Sequence, residues 1–200
     1  RRASPRQGDA AMRTVLLGLL ALPCVACVYV TGSAGATRAS RDGNVGAEFY
    51  ASGGGTTMSE GAVRGGGGLG VIGTGTGAGS GYAVGPEVRA VASIKQLAPY
   101  RRLTLTGRLT LGWARLESET GGTSKGNALA GFVGVGYDAL AKPKYSAFRT
   151  QTSPPVSGTA SAGLTISRFG FDDVDPVWWI GGMVEVSLAL DTPYLLSEID

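Results

Sequence analysis

The side chains that could do chemistry in this chain are a small set of carboxylates and guanidinium groups. Histidine is absent from all 200 residues, which excludes Ser-His-Asp and Cys-His catalysis and every metal site built on histidine. Glu87 and Glu185 are candidates for the paired carboxylates that glycoside hydrolysis needs. Their predicted strand face also carries Arg89 and Arg108, so ion pairing is the simpler role. We therefore predict no catalytic residue, no cofactor, no metal and no enzymatic activity.

Three short motifs resemble ligand-binding loops but lack the context that such loops need. Residues 68–73 match G-x-G-x-x-G, a dinucleotide motif that requires a strand before it and a helix after it. Glycine-rich sequence lies on both sides, so we interpret the motif as a glycine-lined strand. Residues 121–125 have the wrong order for a phosphate loop, and Asp172, Asp173 and Asp175 lack the alternating ligands of a calcium loop. Both are interpreted as solvent-exposed loops.

Composition narrows the class of protein. Glycine accounts for 34 of the 200 residues, and charged residues for 16%, against a usual value of about 25%. A soluble β-protein covers its outer face with charged side chains, and this chain has few of them. Four of the 18 basic and one of the 15 acidic residues precede Cys27, so the rest of the chain is formally neutral. Without a basic stripe, no nucleic-acid partner is expected.

The N-terminal region predicts export. Residues 1–11 lack an initiating methionine and are interpreted as a non-native upstream segment. Residues 12–36 are interpreted as a signal peptide, because Met12 and Arg13 precede an apolar run at 15–30. Cleavage after Ala36 fits a small-x-small site, whereas Val25-Ala26-Cys27 resembles a lipobox that would make Cys27 a lipidation site. A single N-terminal membrane anchor is the alternative. Residues 37–44 are small and polar and are predicted to be a linker.

The elements that position the charged residues are predicted to be strands. From 103 to 113, leucine and tryptophan alternate with threonine, arginine and glycine, the period of a two-faced strand long enough to cross a bilayer when tilted. Turn residues separate further segments of the same kind. They predict an all-β, antiparallel up-and-down β-barrel of about eight strands at 45–190, behind the N-terminal signal segment and before a tail at 191–200. The predicted strands are 45–52, 62–73, 81–94, 101–116, 127–138, 144–151, 157–169 and 177–190; without 144–151 the count is seven.

Each predicted strand has one large apolar face and one face of small residues and isolated charges. Small residues and charges of both signs suit a narrow polar interior, where a buried charge is tolerated only when it is paired. We predict an ion-pair network in the barrel lumen made of Glu48, Arg64, Glu87, Arg89, Arg108 and Glu185. Aromatic residues near strand ends are typical of the interfacial girdles of membrane barrels. The predicted interface aromatics are Tyr82, Tyr100, Trp113, Tyr137, Trp178 and Trp179.

Over residues 45–190 this pattern resembles the small outer-membrane β-barrel proteins of Gram-negative bacteria, the outer-membrane-protein-A/X-like barrels. The resemblance implies a non-enzymatic cell-envelope protein with a structural or surface-interaction role or a narrow pore, in contact with outer-membrane lipid and the barrel-assembly machinery. Two alternatives stay open. One is a soluble or lipid-anchored periplasmic barrel that binds an apolar ligand, with its apolar faces turned inward. The other is a structural assembly subunit with a glycine-rich contact surface. The oligomeric state is not predicted.

Overall fold

A computed structural model describes residues 27–40, 43–57, 63–76, 79–99, 101–118, 122–140, 156–171 and 175–191. Its eight strands are β1 Cys27–Ala39, β2 Val45–Thr56, β3 Val63–Thr76, β4 Gly79–Ala98, β5 Arg101–Ser118, β6 Thr123–Leu140, β7 Val156–Phe171 and β8 Val177–Asp191. Each strand pairs with the next, and β8 pairs antiparallel with β1 to close the barrel. The predicted eight-stranded up-and-down barrel is confirmed. Among these residues no helix has the length and apolar character to cross a membrane.

Strand β5 shows why the sequence folds in this way. Leu105, Leu109 and Leu111 point outward, 44%, 44% and 55% exposed. The threonines between them and Arg108 are buried inside, because successive side chains of a strand point to opposite faces. The other strands follow the same rule, with Val133, Val184 and Leu188 outside. The alternative in which the apolar faces turn inward is therefore wrong for the described strands.

Strand β1 occupies residues that were predicted to be the end of a signal peptide and the start of a linker. Residues 27–39 form β1, which pairs along its whole length with both β2 and β8. Cleavage after Ala36 would leave only three residues of this strand. The predicted linker at 37–44 is wrong at its start, since Thr37, Arg38 and Ala39 are paired with β8. Residues 144–151, the predicted strand of least regular pattern, and residues 1–26 lie outside the described part.

The two ends of the barrel differ in their interiors. We call the end with Cys27 and Asp191 the terminal end, and the end with Ala39 and Val177 the far end. Of the buried charged side chains in the described residues, all but Glu48 lie in the middle of the lumen or toward the terminal end. The far half holds a buried apolar cluster made of Ala39, Tyr50, Ile72, Ala83, Ala114, Ala128, Ala130, Phe169, Phe171, Val177 and Trp179. An eight-stranded barrel has an interior just wide enough for side chains to fill, and in the described residues this cluster occupies the far half.

The G-x-G-x-x-G stretch lies within β3, with strand and no helix on both sides in the described residues. A Cβ atom at Gly68 would overlap the backbone of Gly53 and Gly54 on β2. Glycine here allows two curved strands to approach closely, which agrees with the interpretation as a glycine-lined strand.

Candidate functional site

The centre of the lumen is built around Glu185, which β8 directs inward. Its two carboxylate oxygens accept hydrogen bonds from guanidinium groups on two other strands. Nη2 of Arg89 on β4 lies 3.2 Å from Oε1, and Nε of Arg108 on β5 lies 2.9 Å from Oε2. The three side chains are between 1% and 4% exposed. One carboxylate therefore forms ion pairs with two buried cations.

A second carboxylate, Glu87, is held by two phenols. The hydroxyl of Tyr29 donates to its Oε1 at 3.1 Å, and the hydroxyl of Tyr50 donates to its Oε2. The same tyrosine rings pack against the arginines, with the guanidinium carbon of Arg108 3.3 Å from the centroid of the Tyr50 ring and that of Arg89 4.7 Å from the Tyr29 ring. Such cation–π contacts are strongest where both partners are out of water. They join Glu87 and Glu185 into one central cluster.

Two further groups lie on either side of this central cluster. Toward the terminal end, Nη2 of Arg64 lies 2.9 Å from Oδ1 of Asp138, and its Nη1 donates to the Ser157 hydroxyl at 3.0 Å. Nearer the far end, the hydroxyls of Thr165 and Ser167 each donate to Glu48 at 3.0 Å. Glu48, which was predicted to belong to the ion-pair network, is thus held by hydroxyl groups.

The structure places all six predicted network residues inside the barrel. It brings Arg89, Arg108 and Glu185 into direct ion pairs and leaves Glu48 and Glu87 on hydroxyl groups. The acid that pairs with Arg64 is Asp138, which the prediction missed. The signal was present, because Asp138 shares its parity in β6 with Phe132 and the other inward-facing residues.

A cavity of about 20 Å³ near the terminal end is lined by Arg64, Arg89, Tyr29, Ser157 and neighbouring residues, space for about one water molecule. In the described part of the chain, no group of three or more cysteine, aspartate, glutamate or histidine residues could hold a metal ion. Asp172 and Asp173 lie outside that part. The arrangement supports a packed, charge-compensated core.

The predicted interface aromatics do not all face outward. Tyr82, Trp113, Tyr137 and Trp178 are 45%, 61%, 39% and 39% exposed on the barrel surface. The prediction for Trp179 is wrong: this side chain is 6% exposed and belongs to the far-end apolar cluster. Two consecutive strand residues cannot share a face, so only one tryptophan of the pair can reach the interface. Tyr100 lies outside the described residues.

The interior network requires a residue without a side chain at position 70, which is Gly70. A Cβ atom there would meet the hydroxyl and ring of Tyr50, which holds Glu87. We expect Gly70→Val to displace this ring and to lower the free energy of unfolding by about 1–3 kcal/mol, the usual cost of overpacking. Gly73→Val is the matched control, because a Cβ atom at Gly73 meets nothing within 4 Å. Urea unfolding of the two variants would show the difference, and equal midpoints would contradict it.

Comparison with known proteins adds a likeness of fold. No protein-family profile and no curated protein sequence matches the chain. Among solved structures, the crystal structure of Neisserial surface protein A (NspA) matches with a TM-score of 0.51 and 17% sequence identity, over 82% of this chain and 96% of that one. At this identity the likeness is one of fold, and it agrees with the resemblance to small outer-membrane-type barrels.

Proposed function

We propose that the chain is an integral protein of a bacterial outer membrane, which it crosses as an eight-stranded barrel, with a non-enzymatic structural or surface-interaction role. One observation carries this proposal. In the described residues, large apolar side chains cover the outside of the barrel, while seven charged side chains are buried within it: Glu48, Arg64, Glu87, Arg89, Arg108, Asp138 and Glu185. A protein surrounded by water has the opposite arrangement, whereas a bilayer favours an apolar exterior and a closed strand ladder.

The height of the apolar surface supports the proposal. On β5 the outward-facing residues between Arg101 and Arg115 run from Leu103 to Trp113 and contain no charge. A tilted strand needs about 9–11 residues to cross the hydrocarbon layer. We call the uncharged outer surface at the level of Leu103 to Trp113 of β5 the belt. Its length on β5 matches a bilayer, and the belt would contact outer-membrane lipid.

The interior does not favour the narrow pore. The far-end apolar cluster fills the lumen at one end, and ion pairs and hydroxyl groups fill its centre. The strand connections are then the parts available to partners outside the membrane. NspA, whose fold is similar, is by its name a surface protein. Insertion by the barrel-assembly machinery and lipidation at Cys27, which is buried at the start of β1, stay predictions.

Heat-modifiability tests the proposal. The outer-membrane fraction of expressing cells is run on SDS gels with and without boiling, and the unboiled protein is expected to migrate faster because a closed barrel resists SDS. A matched control lacks residues 177–191, that is β8, which pairs with both β7 and β1, and it keeps the predicted export signal. This control cannot close the barrel and is expected to migrate alike in both lanes. Full-length protein found in the water-soluble fraction, without a mobility difference, would contradict the proposal.

A further inference from the structure

A row of three outward-facing side chains crosses the barrel surface near the far end. Arg115 on β5 lies directly opposite Lys125 on β6, and on its other side directly opposite Tyr82 on β4. All three side chains are exposed. We call Tyr82, Arg115 and Lys125 the rim row.

The rim row lies at the edge of the belt. The neighbouring outward-facing row toward the middle of the barrel consists of Val84, Trp113 and Asn127, and Trp113 is 61% exposed. Tryptophan and tyrosine of membrane proteins are enriched at the level of the lipid headgroups. In a protein that crosses the membrane, the rim row therefore lies at the depth of the lipid phosphates.

The charges of the rim row are incompletely compensated. Residues directly opposite in an antiparallel ladder have Cβ atoms about 5 Å apart, and like charges in such a pair destabilise the ladder. Glu117 pairs with Arg115 at 3.3 Å, and both side chains are about half exposed. Within the described ranges, no acidic side chain forms an ion pair with Lys125. A cation pair of this kind gains stability from an external anion.

The donor set matches a phosphate group. A guanidinium group can donate two parallel hydrogen bonds to phosphate oxygens, and an ammonium group adds a point charge. The phenol of Tyr82 supplies a third donor in the same row. We propose that the rim row binds the phosphate of an anionic membrane lipid, an inference that rests on the proposed membrane location.

Native mass spectrometry of the detergent-solubilised barrel tests this inference, with phosphatidylglycerol as the probe. Wild-type protein is expected to retain a bound phosphatidylglycerol. The variant R115Q/K125Q is expected to bind it about 25-fold more weakly, the effect of removing two basic groups from a membrane surface. The matched control is K95Q/R101Q, which removes two exposed charges at the terminal end that are not opposite each other. Its affinity is expected to stay near that of wild type.

Three outcomes would overturn the inference. They are equal retention of lipid by R115Q/K125Q and wild type, equal loss in both double variants, and displacement of the lipid by an equal concentration of inorganic phosphate. The swap R115K/K125R keeps both charges and should retain binding, and unboiled gel mobility confirms that every variant is folded. Wild-type protein that is soluble without detergent would instead refute the membrane location, a result distinct from a folded membrane barrel without a lipid site.

Discussion

Replacing Glu185 by glutamine is expected to lower the free energy of unfolding by about 3–5 kcal/mol, the usual cost of removing one partner of a buried ion pair. The expected loss is large because Glu185 serves Arg89 and Arg108 together. Both guanidinium groups are buried in the lumen, and an uncompensated buried charge is more costly than a missing contact. Urea unfolding in detergent micelles, followed by circular dichroism, measures the change.

Two further variants test whether the loss of stability in E185Q comes from buried guanidinium groups that have lost their carboxylate. Glu117→Gln removes the acid of the exposed pair with Arg115, and such surface pairs contribute only about 0.2–1 kcal/mol. The double variant E185Q/R89M removes one acid and one base, so Arg108 keeps the nearby charge of Glu87. It is expected to be more stable than E185Q alone. If E185Q were no more destabilising than E117Q, the lumenal ion pairs would not hold the barrel together.

Replacing Leu109 by arginine is expected to destabilise the protein in a bilayer by about 2–4 kcal/mol, the cost of a cation on the lipid face of a barrel near the membrane midplane. Leu109 lies near the middle of the stretch between Arg101 and Arg115, points outward and is 44% exposed. The measurement is the urea midpoint of protein folded into phospholipid vesicles, compared at an unchanged m-value.

Leu103→Arg is the matched control, because it makes the same substitution on the same strand two residues from Arg101. The cost of a basic residue near the interface falls to about 0–1 kcal/mol. If a bilayer surrounds β5, the two variants should therefore differ in stability according to the depth of the substituted residue. If water surrounds it, no such difference is expected. Equal midpoints would argue against a membrane-spanning belt on β5.

Alternation in the sequence is sufficient to predict which side chains enter the lumen, but it does not predict their partners. Arg108 and Glu185 lie on β5 and β8, strands that are not neighbours in the sheet, and they meet across the lumen. Which residues face each other there depends on strand tilt and stagger, which the side-chain period leaves undefined. For the same reason the prediction paired Arg64 with no particular acid.

Strand β1 was missed for a different physical reason. Its middle reads Gly-Ser-Ala-Gly-Ala at 32–36, with no large apolar residue on either face, so its composition is that of a linker. The strand forms because β2 and β8 supply hydrogen-bond partners on both sides. Tertiary context of this kind overrides the weak intrinsic preference of small residues for strands.

The ladder between β1 and β8 means that the barrel can close only after the last strand has been made. It pairs Cys27 with Asp191 and Ala39 with Trp179, whereas every other ladder joins consecutive strands. Until the last strand has been synthesised, β1 has an open edge whose backbone groups lack partners, and such an edge promotes aggregation in water and is too costly in lipid. Folding is therefore a property of the finished polypeptide, and a chain interrupted before β8 would be left as a substrate for chaperones and proteases.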